Sequence, residues 1–173
     1  MPKLTVPPNF IGTPGSDTLI GEQLNVSPAI GIDILTGGFI CTRSGNDTIK
    51  GTGAGSIGDF NQGGNGTGIA NSGSLNAGDG EDAIAGTGKG GKGGDVKGGD
   101  GIAGGDGTGI ANSGSLNTGD GNDAIAGTGT GGNGGIDQFS GGDGGVGTGI
   151  ANNRGSLNTG NGNDRITGTG TGG

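Results

Sequence analysis

A glycine-flanked aspartate recurs along this chain in the pattern Gly-x-Asp-x-(Ile/Leu/Phe)-x-Gly. The first glycine permits a turn with positive φ and exposes backbone carbonyls, and the aspartate adds a carboxylate where the turn ends. Because side chains alternate along a strand, the apolar residue two positions later points into the fold. The copies lie at residues 15–21, 31–37, 45–51, 80–86, 98–104, 121–127, 135–141 and 162–168.

Turns of this kind would line one edge of the fold with oxygen atoms if successive turns stacked on one another. An all-oxygen set of carboxylates and carbonyls suits calcium, which takes six to eight oxygen ligands at about 2.3–2.6 Å. Carboxylates one strand spacing apart repel each other, and a divalent cation removes that repulsion. The alternative is that each aspartate only stabilises its own turn in a metal-free fold.

Longer repeats indicate how the chain would bring the turns together. The segment GTGIANSGSLN at 66–76 returns at 107–117, and a copy with one extra residue follows at 147–158, so the period is about 41 residues. Apolar residues indicate a shorter period, since Leu75, Val96 and Leu116 are about 20 residues apart. A coil that returns to the same place stacks equivalent residues at strand spacing. The pattern predicts an all-β, elongated parallel β-solenoid or β-roll with about 20 residues per turn and little or no helix.

The same pattern divides the chain into three parts of one continuous solenoid. Residues 1–11 are expected to form an N-terminal arm or cap, residues 12–53 a section dense in the aspartate motif, and residues 54–173 about three 41-residue repeats. The glycine-rich stretch 86–107 has two interpretations: a loose loop, or extended glycine segments that pack closely because nothing projects. One asparagine per repeat, at 71, 112 and 152, predicts a hydrogen-bonded ladder at an interior corner.

Four of the motif copies carry a family resemblance. The runs GTPGSDTLIG (12–21), GDGEDAIAG (78–86), GDGNDAIAG (119–127) and GNGNDRITG (160–168) resemble the Gly-Gly-x-Gly-x-Asp-x-apolar-x nonapeptide of RTX (repeats-in-toxin, hemolysin-type) calcium-binding proteins. The resemblance implies a parallel β-roll with calcium in the glycine-aspartate turns. By this resemblance the metal ligands would be Asp17, Asp33, Asp47, Asp82, Asp100, Asp123, Asp137 and Asp164, with carbonyls of glycines such as Gly80, Gly121 and Gly162.

Composition excludes several classes of function. The chain has 173 residues, of which 53 are glycine, with a net charge of −8 and no His, Trp or Tyr. An acidic chain repels phosphates, so we expect no nucleic-acid partner. No apolar stretch is long enough to span a membrane. Without histidine an ordinary Ser-His-Asp triad cannot form, and a single cysteine allows no intrachain disulfide.

The expected function is structural rather than enzymatic: a calcium-stabilised, secreted or surface-displayed spacer, adhesin or extracellular matrix segment. Calcium would be the only cofactor, and folding would be coupled to its capture. Three alternatives stay open. The chain could be a filament subunit that stacks end to end, a polysaccharide-active β-helix enzyme, or an ice-binding solenoid. The last would use an outward row of Thr52, Thr87, Thr128 and Thr169.

Overall fold

The computed structural model describes residues 2–97, 99–136 and 139–173. These residues form β-strands joined by turns and extended segments, and they contain no helix. None of them, therefore, provides a helix able to cross a membrane. In chain order the strands are β1 (Leu4–Val6), β2 (Phe10–Ile11), β3 (Thr18–Val26), β4 (Ala29–Ile34), β5 (Phe39–Cys41), β6 (Thr48–Gly55), β7 (Gly66–Asn71), β8 (Ser74–Asn76), β9 (Ala83–Lys89), β10 (Gly107–Asn112), β11 (Ser115–Asn117), β12 (Ala124–Thr130), β13 (Gly147–Asn152), β14 (Ser156–Asn158) and β15 (Arg165–Thr171).

Each strand pairs in parallel with the strand three positions later in the chain, which produces three five-stranded sheets. Sheet A has the order β1-β4-β7-β10-β13, sheet B contains β2, β5, β8, β11 and β14, and sheet C contains β3, β6, β9, β12 and β15. Three consecutive strands therefore make one coil, and we number the coils 1 to 5 from the N-terminus. This arrangement confirms the predicted parallel β-solenoid. Residues 4–11, expected to be an arm or cap, supply the first two strands of coil 1.

The prediction of about 20 residues per turn is wrong, because one coil contains the whole 41-residue repeat. Ile84 pairs with Ile125, and Ile125 pairs with Ile166, each 41 positions further along the chain. Val96, expected to stack between Leu75 and Leu116, lies outside the three sheets, and Leu75 pairs directly with Leu116. The 20-residue spacing arises because coils 2 to 4 have apolar residues in two places: in the sheets, and in a glycine-rich connection from sheet C to sheet A.

The hydrophobic core consists of three columns of aliphatic side chains, one from each sheet. In coils 2 to 4 these side chains are almost completely buried. Burial of each isoleucine or leucine contributes about 1.5–3 kcal/mol. The columns are Leu4, Ile32, Ile69, Ile110 and Ile150 in sheet A; Phe10, Ile40, Leu75, Leu116 and Leu157 in sheet B; and Leu19, Ile49, Ile84, Ile125 and Ile166 in sheet C.

The predicted asparagine ladder is present at the corner between sheets A and B. The side-chain amide of Asn71 donates to Oδ1 of Asn112 (2.8 Å), and that of Asn112 donates to Oδ1 of Asn152 (2.8 Å). Asn71 and Asn112 are each 1% exposed. In coils 1 and 2 the same column holds Val6 and Ile34 instead. The ladder therefore continues an apolar column with side chains that satisfy each other's hydrogen bonds.

From coil 2 onward, the chain between sheet C and the next sheet A runs out and back through two glycine-rich arms, whereas only two residues separate β3 from β4. In coil 3 the outgoing arm is 90–95 and the return arm is 101–106. Backbone hydrogen bonds join the two kinds of arm across coils: Gly91 N–H donates to Gly64 O (2.8 Å), Gly105 N–H to Gly91 O (2.9 Å), and Gly132 N–H to Gly105 O (2.8 Å). Extended glycine segments have no hydrogen bonds within the segment. Here their backbone groups form hydrogen bonds with neighbouring arms instead.

Glycine is required in these arms because the two layers touch backbone to backbone. A Cβ added at Gly105 would overlap the carbonyl oxygen of Gly64, and one added at Gly91 would overlap that of Ser56. The same holds where sheets A and C converge, since a Cβ at Gly86 would overlap the carbonyl oxygen of Gly109. For the described residues of this stretch, 86–97 and 99–107, the interpretation as closely packed extended glycine segments is correct.

Candidate metal-binding corner

Five aspartates stack along the corner between sheets B and C, one in each coil. Each directly precedes the first residue of its sheet C strand, so the in-register pairing of those strands aligns the carboxylates. They are Asp17, Asp47, Asp82, Asp123 and Asp164. The corner thus unites five of the eight predicted aspartates into one row that crosses every coil.

In coils 2 to 5, the turns that lead into the corner have the conformation that the glycine spacing predicts. Gly45, Gly80, Gly121 and Gly162, each two residues before an aspartate, have φ values of 114°, 144°, 152° and 150°. L-residues with side chains rarely adopt such angles. In addition, a Cβ at Gly80 would overlap the carbonyl oxygen of Gly45 in the preceding coil. Both the positive φ and the close stacking therefore require glycine at this position.

In coils 2 to 5, each corner carboxylate joins its own coil to the preceding one by a hydrogen bond. Oδ1 of Asp82 accepts a hydrogen bond from the backbone N–H of Asp47 (2.8 Å), and Oδ1 of Asp123 accepts one from Asp82 (2.9 Å). The same bond joins Asp17 to Asp47 (2.7 Å) and Asp123 to Asp164 (3.0 Å). One oxygen of each carboxylate in coils 2 to 5 is therefore committed to holding the solenoid together.

The second oxygen of the central carboxylates is buried without a hydrogen-bond partner among the described residues. This is true of Oδ2 in Asp47, Asp82 and Asp123, and of the hydroxyl of Thr118, which lies five residues before Asp123 in the sequence. These three aspartates are only 1–2% exposed. A buried polar atom without a partner loses its interaction with water and gains nothing in return.

Electrostatics at Asp82 follow from this burial. Burial raises the pKa of Asp82 from 3.8 to about 6. The hydrogen bond from the N–H of Asp47 opposes that rise, whereas the negative charges of Asp47, Asp123 and Asp79 add to it. At neutral pH the Asp82 carboxyl is consequently ionised in a buried row of like groups.

Two of the remaining predicted aspartates, Asp33 and Asp100, do not join the corner. Asp33 lies in β4 of sheet A, where its carboxylate forms an ion pair with Lys3 (Oδ2 to Nζ, 2.8 Å). Asp100 lies next to the return arm and accepts a hydrogen bond from the Ser140 hydroxyl (2.8 Å). Asp137 lies outside the described residues. The motif specifies a local turn, and the strand register decides which turns stack.

The unpartnered oxygens match the donor chemistry of calcium, which prefers anionic and carbonyl oxygens. The corner carboxylates lie in single file, however, and the described residues contain no cluster of three or more His, Cys, Asp or Glu side chains arranged to hold a metal ion. A calcium ion here would therefore depend on backbone carbonyls as well as carboxylates. Gly80, Gly121 and Gly162, the predicted carbonyl ligands, do lie in the corner turns.

Comparison with protein-family models, with curated proteins and with solved structures gives no significant match to this chain.

Proposed function

We propose that this protein is a calcium-stabilised structural β-solenoid that serves outside the cell as a rigid spacer, adhesin or matrix segment. The observation that supports it is the row of buried, unpartnered carboxylate oxygens on Asp47, Asp82 and Asp123. One strand spacing apart, the negative charges of these carboxylates repel each other. A bound cation would offset both the repulsion and the loss of hydration. Calcium, when bound, would supply the positive charge and the missing coordination.

An extracellular role follows from how such sites are tuned. Calcium sites of extracellular modules have dissociation constants of about 10⁻⁴–10⁻³ M and stay empty in the cytosol. Inside the cell the corner would keep its repulsion and the chain would be less stable, and calcium outside would complete folding. Stacked coils that contact only their neighbours produce an extended body, which suits a spacer.

Calcium is expected to change how the stability of the protein depends on pH. Because the pKa of Asp82 rises to about 6 on folding, the folded state holds its proton more tightly than the unfolded state between pH 4 and 6. In chelator, the free energy of unfolding should therefore fall as pH rises across this window, by about 3 kcal/mol from this one group. Calcium should remove most of that fall, and at 100 times its dissociation constant it should add about 2.7 kcal/mol at pH 7.

Thermal unfolding followed by circular dichroism, at pH 4 and pH 7 with calcium or chelator, measures both effects. The matched variant is Asp82→Asn, which keeps the Oδ1 acceptor and removes the charge. This variant should lose most of the pH dependence and respond less to calcium than the parent protein. Identical melting temperatures with calcium and with chelator at pH 7 would show that the proposal is wrong.

A second candidate function, ice binding, is favoured by the register of sheet C. Thr52, Thr87, Thr128 and Thr169 pair in consecutive strands and form one row on the outward face. Thr130 and Thr171 form a second pair two residues along the same strands. Hydroxyl and methyl groups therefore repeat at about 4.8 Å across the strands and about 6.6 Å along them on a regular surface.

Ice binding is tested by thermal hysteresis, the gap between melting and freezing points of a seeded solution. The parent protein should show a measurable gap, and Thr128→Lys should reduce it severalfold because a long cation interrupts the row. Thr5→Lys, an exposed position in sheet A, is the control and should leave the gap unchanged. Absence of any gap in calcium-loaded protein excludes this candidate.

A further inference from the structure

The far side of coil 5 is an open end of the solenoid, because no described strand pairs with the outer edges of β13, β14 and β15. An apolar side chain that the next coil covers elsewhere is uncovered here: Ile166 is 51% exposed, whereas its equivalent Ile125 is 1% exposed. Unpaired strand edges are a template for pairing with another chain. The open end is therefore a candidate interaction surface.

The open end also presents hydrogen-bonding groups that join one coil to the next elsewhere in the solenoid. In coil 4 the side-chain amide of Asn112 donates to Oδ1 of Asn152, and the backbone N–H of Asp123 donates to Oδ1 of Asp164. The corresponding donors of coil 5, on Asn152 and Asp164, have no acceptor among the residues that the structure describes. Asn152 is exposed and Asp164 is half-buried, so a partner at this end can reach both side chains.

Coil 1, at the opposite end of the solenoid, does not complement these groups. If a second copy stacked its coil 1 on coil 5 in the same register, Asn152 would meet Val6, which cannot accept a hydrogen bond from its amide. The free edge of β3 is also partly covered, since the backbone N–H of Glu22 donates to the carbonyl oxygen of Pro2 (3.3 Å). Head-to-tail stacking would therefore leave a buried polar group without a partner, at a cost in free energy.

Two open ends do complement each other when a twofold axis relates them. Sheets A and C of coil 5 face each other with their strands in opposite directions, so that Gly147 lies against Thr171 and Gly149 against Thr169. A twofold axis midway between the sheets and along their strands sets β13 of one copy antiparallel to β15 of the other. The same axis sets β14 antiparallel to its own counterpart. All three edges of each copy then find partners for their backbone N–H and C=O groups.

The twofold axis also brings the end of the asparagine ladder to the corner carboxylate of the second copy. The facing pairs of the two sheets place Asn152 level with Ile166, two residues from Asp164. Residues on such a diagonal between antiparallel strands are close enough for their side chains to interact. The side-chain amide of Asn152 in each copy then donates to the Asp164 carboxylate of the other, and the symmetry makes this contact twice.

Charge favours coil 5 over the rest of the surface for self-association. Residues 147–173 contain two arginines and one aspartate, whereas the whole chain has a net charge of −8. Two copies that meet through coil 5 therefore approach by their least acidic parts. We infer that the protein forms a twofold-symmetric dimer through coil 5, in which the three outer strands pair with those of a second copy. Because this contact uses the same surface of both copies, the assembly closes at two chains.

Sedimentation velocity over a range of protein concentrations, with calcium in the buffer, tests the inference. The parent protein should approach twice the 16.0 kDa mass of one chain and grow no further. Asn152→Asp keeps an oxygen that can accept the bond from Asn112 but sets two carboxylates against each other across the interface. Its dimer should dissociate at least tenfold more readily. The double variant Asn152→Asp/Asp164→Asn exchanges donor and acceptor across the interface and should restore dimerisation.

Asn61→Asp is the control for charge, because it adds the same negative charge at an exposed position in the glycine-rich connection of coil 2. This variant should dimerise like the parent protein, and melting curves by circular dichroism check that every variant is folded. Monomers at all concentrations or growth into larger assemblies would overturn the inference. Unchanged dimerisation of Asn152→Asp, or no recovery in the double variant, would overturn it as well.

Discussion

Gly105→Ala is expected to lower the free energy of unfolding by about 3 kcal/mol or more, although it adds only one methyl group. Gly105 lies in the return arm of coil 3, and its Cβ would overlap the carbonyl oxygen of Gly64 and approach that of Gly63 at 2.6 Å. Overpacking ordinarily costs about 1–3 kcal/mol because side chains can shift. Here the obstructing atoms belong to backbone that is itself hydrogen-bonded between coils, so the upper end of that range or more is expected.

Gly141→Ala is the matched control, since Gly141 begins the equivalent arm of coil 4. Its Cβ would meet the carbonyl oxygen of Gly135 at 3.7 Å, which is ordinary van der Waals contact. Thermal unfolding by circular dichroism should show a melting temperature about 6–12 °C lower for Gly105→Ala, and little change for Gly141→Ala. Equal melting temperatures for the two variants would mean that the arms are not packed backbone to backbone.

Local features of the chain could be predicted from its sequence, and long-range ones only in part. The Gly-x-Asp spacing correctly predicts glycine turns with positive φ, as at Gly80 and Gly121. It cannot distinguish Asp82 from Asp33, because both match the motif and only the strand register places one at a corner and the other within sheet A. Turn chemistry is encoded over a few residues, whereas stacking depends on the length of the whole coil.

The glycine arms explain why the sequence pattern predicts a coil that is too short. Apolar residues of the arms, such as Val96, fall about midway between the true core residues Leu75 and Leu116, which imitates a shorter coil. The sequence does contain a signal that distinguishes residues of the arms from residues of the core strands. In GGKGGD (90–95) and GGNGGI (131–136) every third residue is not glycine, a period typical of extended polyproline-type segments rather than strands.

Asn112→Ile is expected to cost about 3 kcal/mol, the second largest effect of a single substitution proposed for this chain. Asn112 accepts a hydrogen bond from Asn71 and donates to Asn152 and to the backbone oxygen of Ser156 (2.9 Å). Isoleucine fits the column, as Ile34 shows one coil before the ladder begins. The loss should therefore come from buried polar groups left without partners, each worth about 1–3 kcal/mol, and not from steric conflict.

Asn71→Ile is the variant to compare with Asn112→Ile. Asn71 is the end of the ladder, and its replacement extends the apolar column by one coil. It breaks the bond to Asn112, one to the backbone oxygen of Ser115 and one from the backbone N–H of Gly73 to its Oδ1 (3.2 Å), so a loss similar to that of Asn112→Ile, about 3 kcal/mol, is expected. The double variant breaks the shared Asn71–Asn112 bond only once. Its loss, measured by chemical denaturation, should fall short of the sum of the two single losses by about 1 kcal/mol. Strict additivity would show that the asparagines stabilise their own coils separately and that the ladder does not couple one coil to the next.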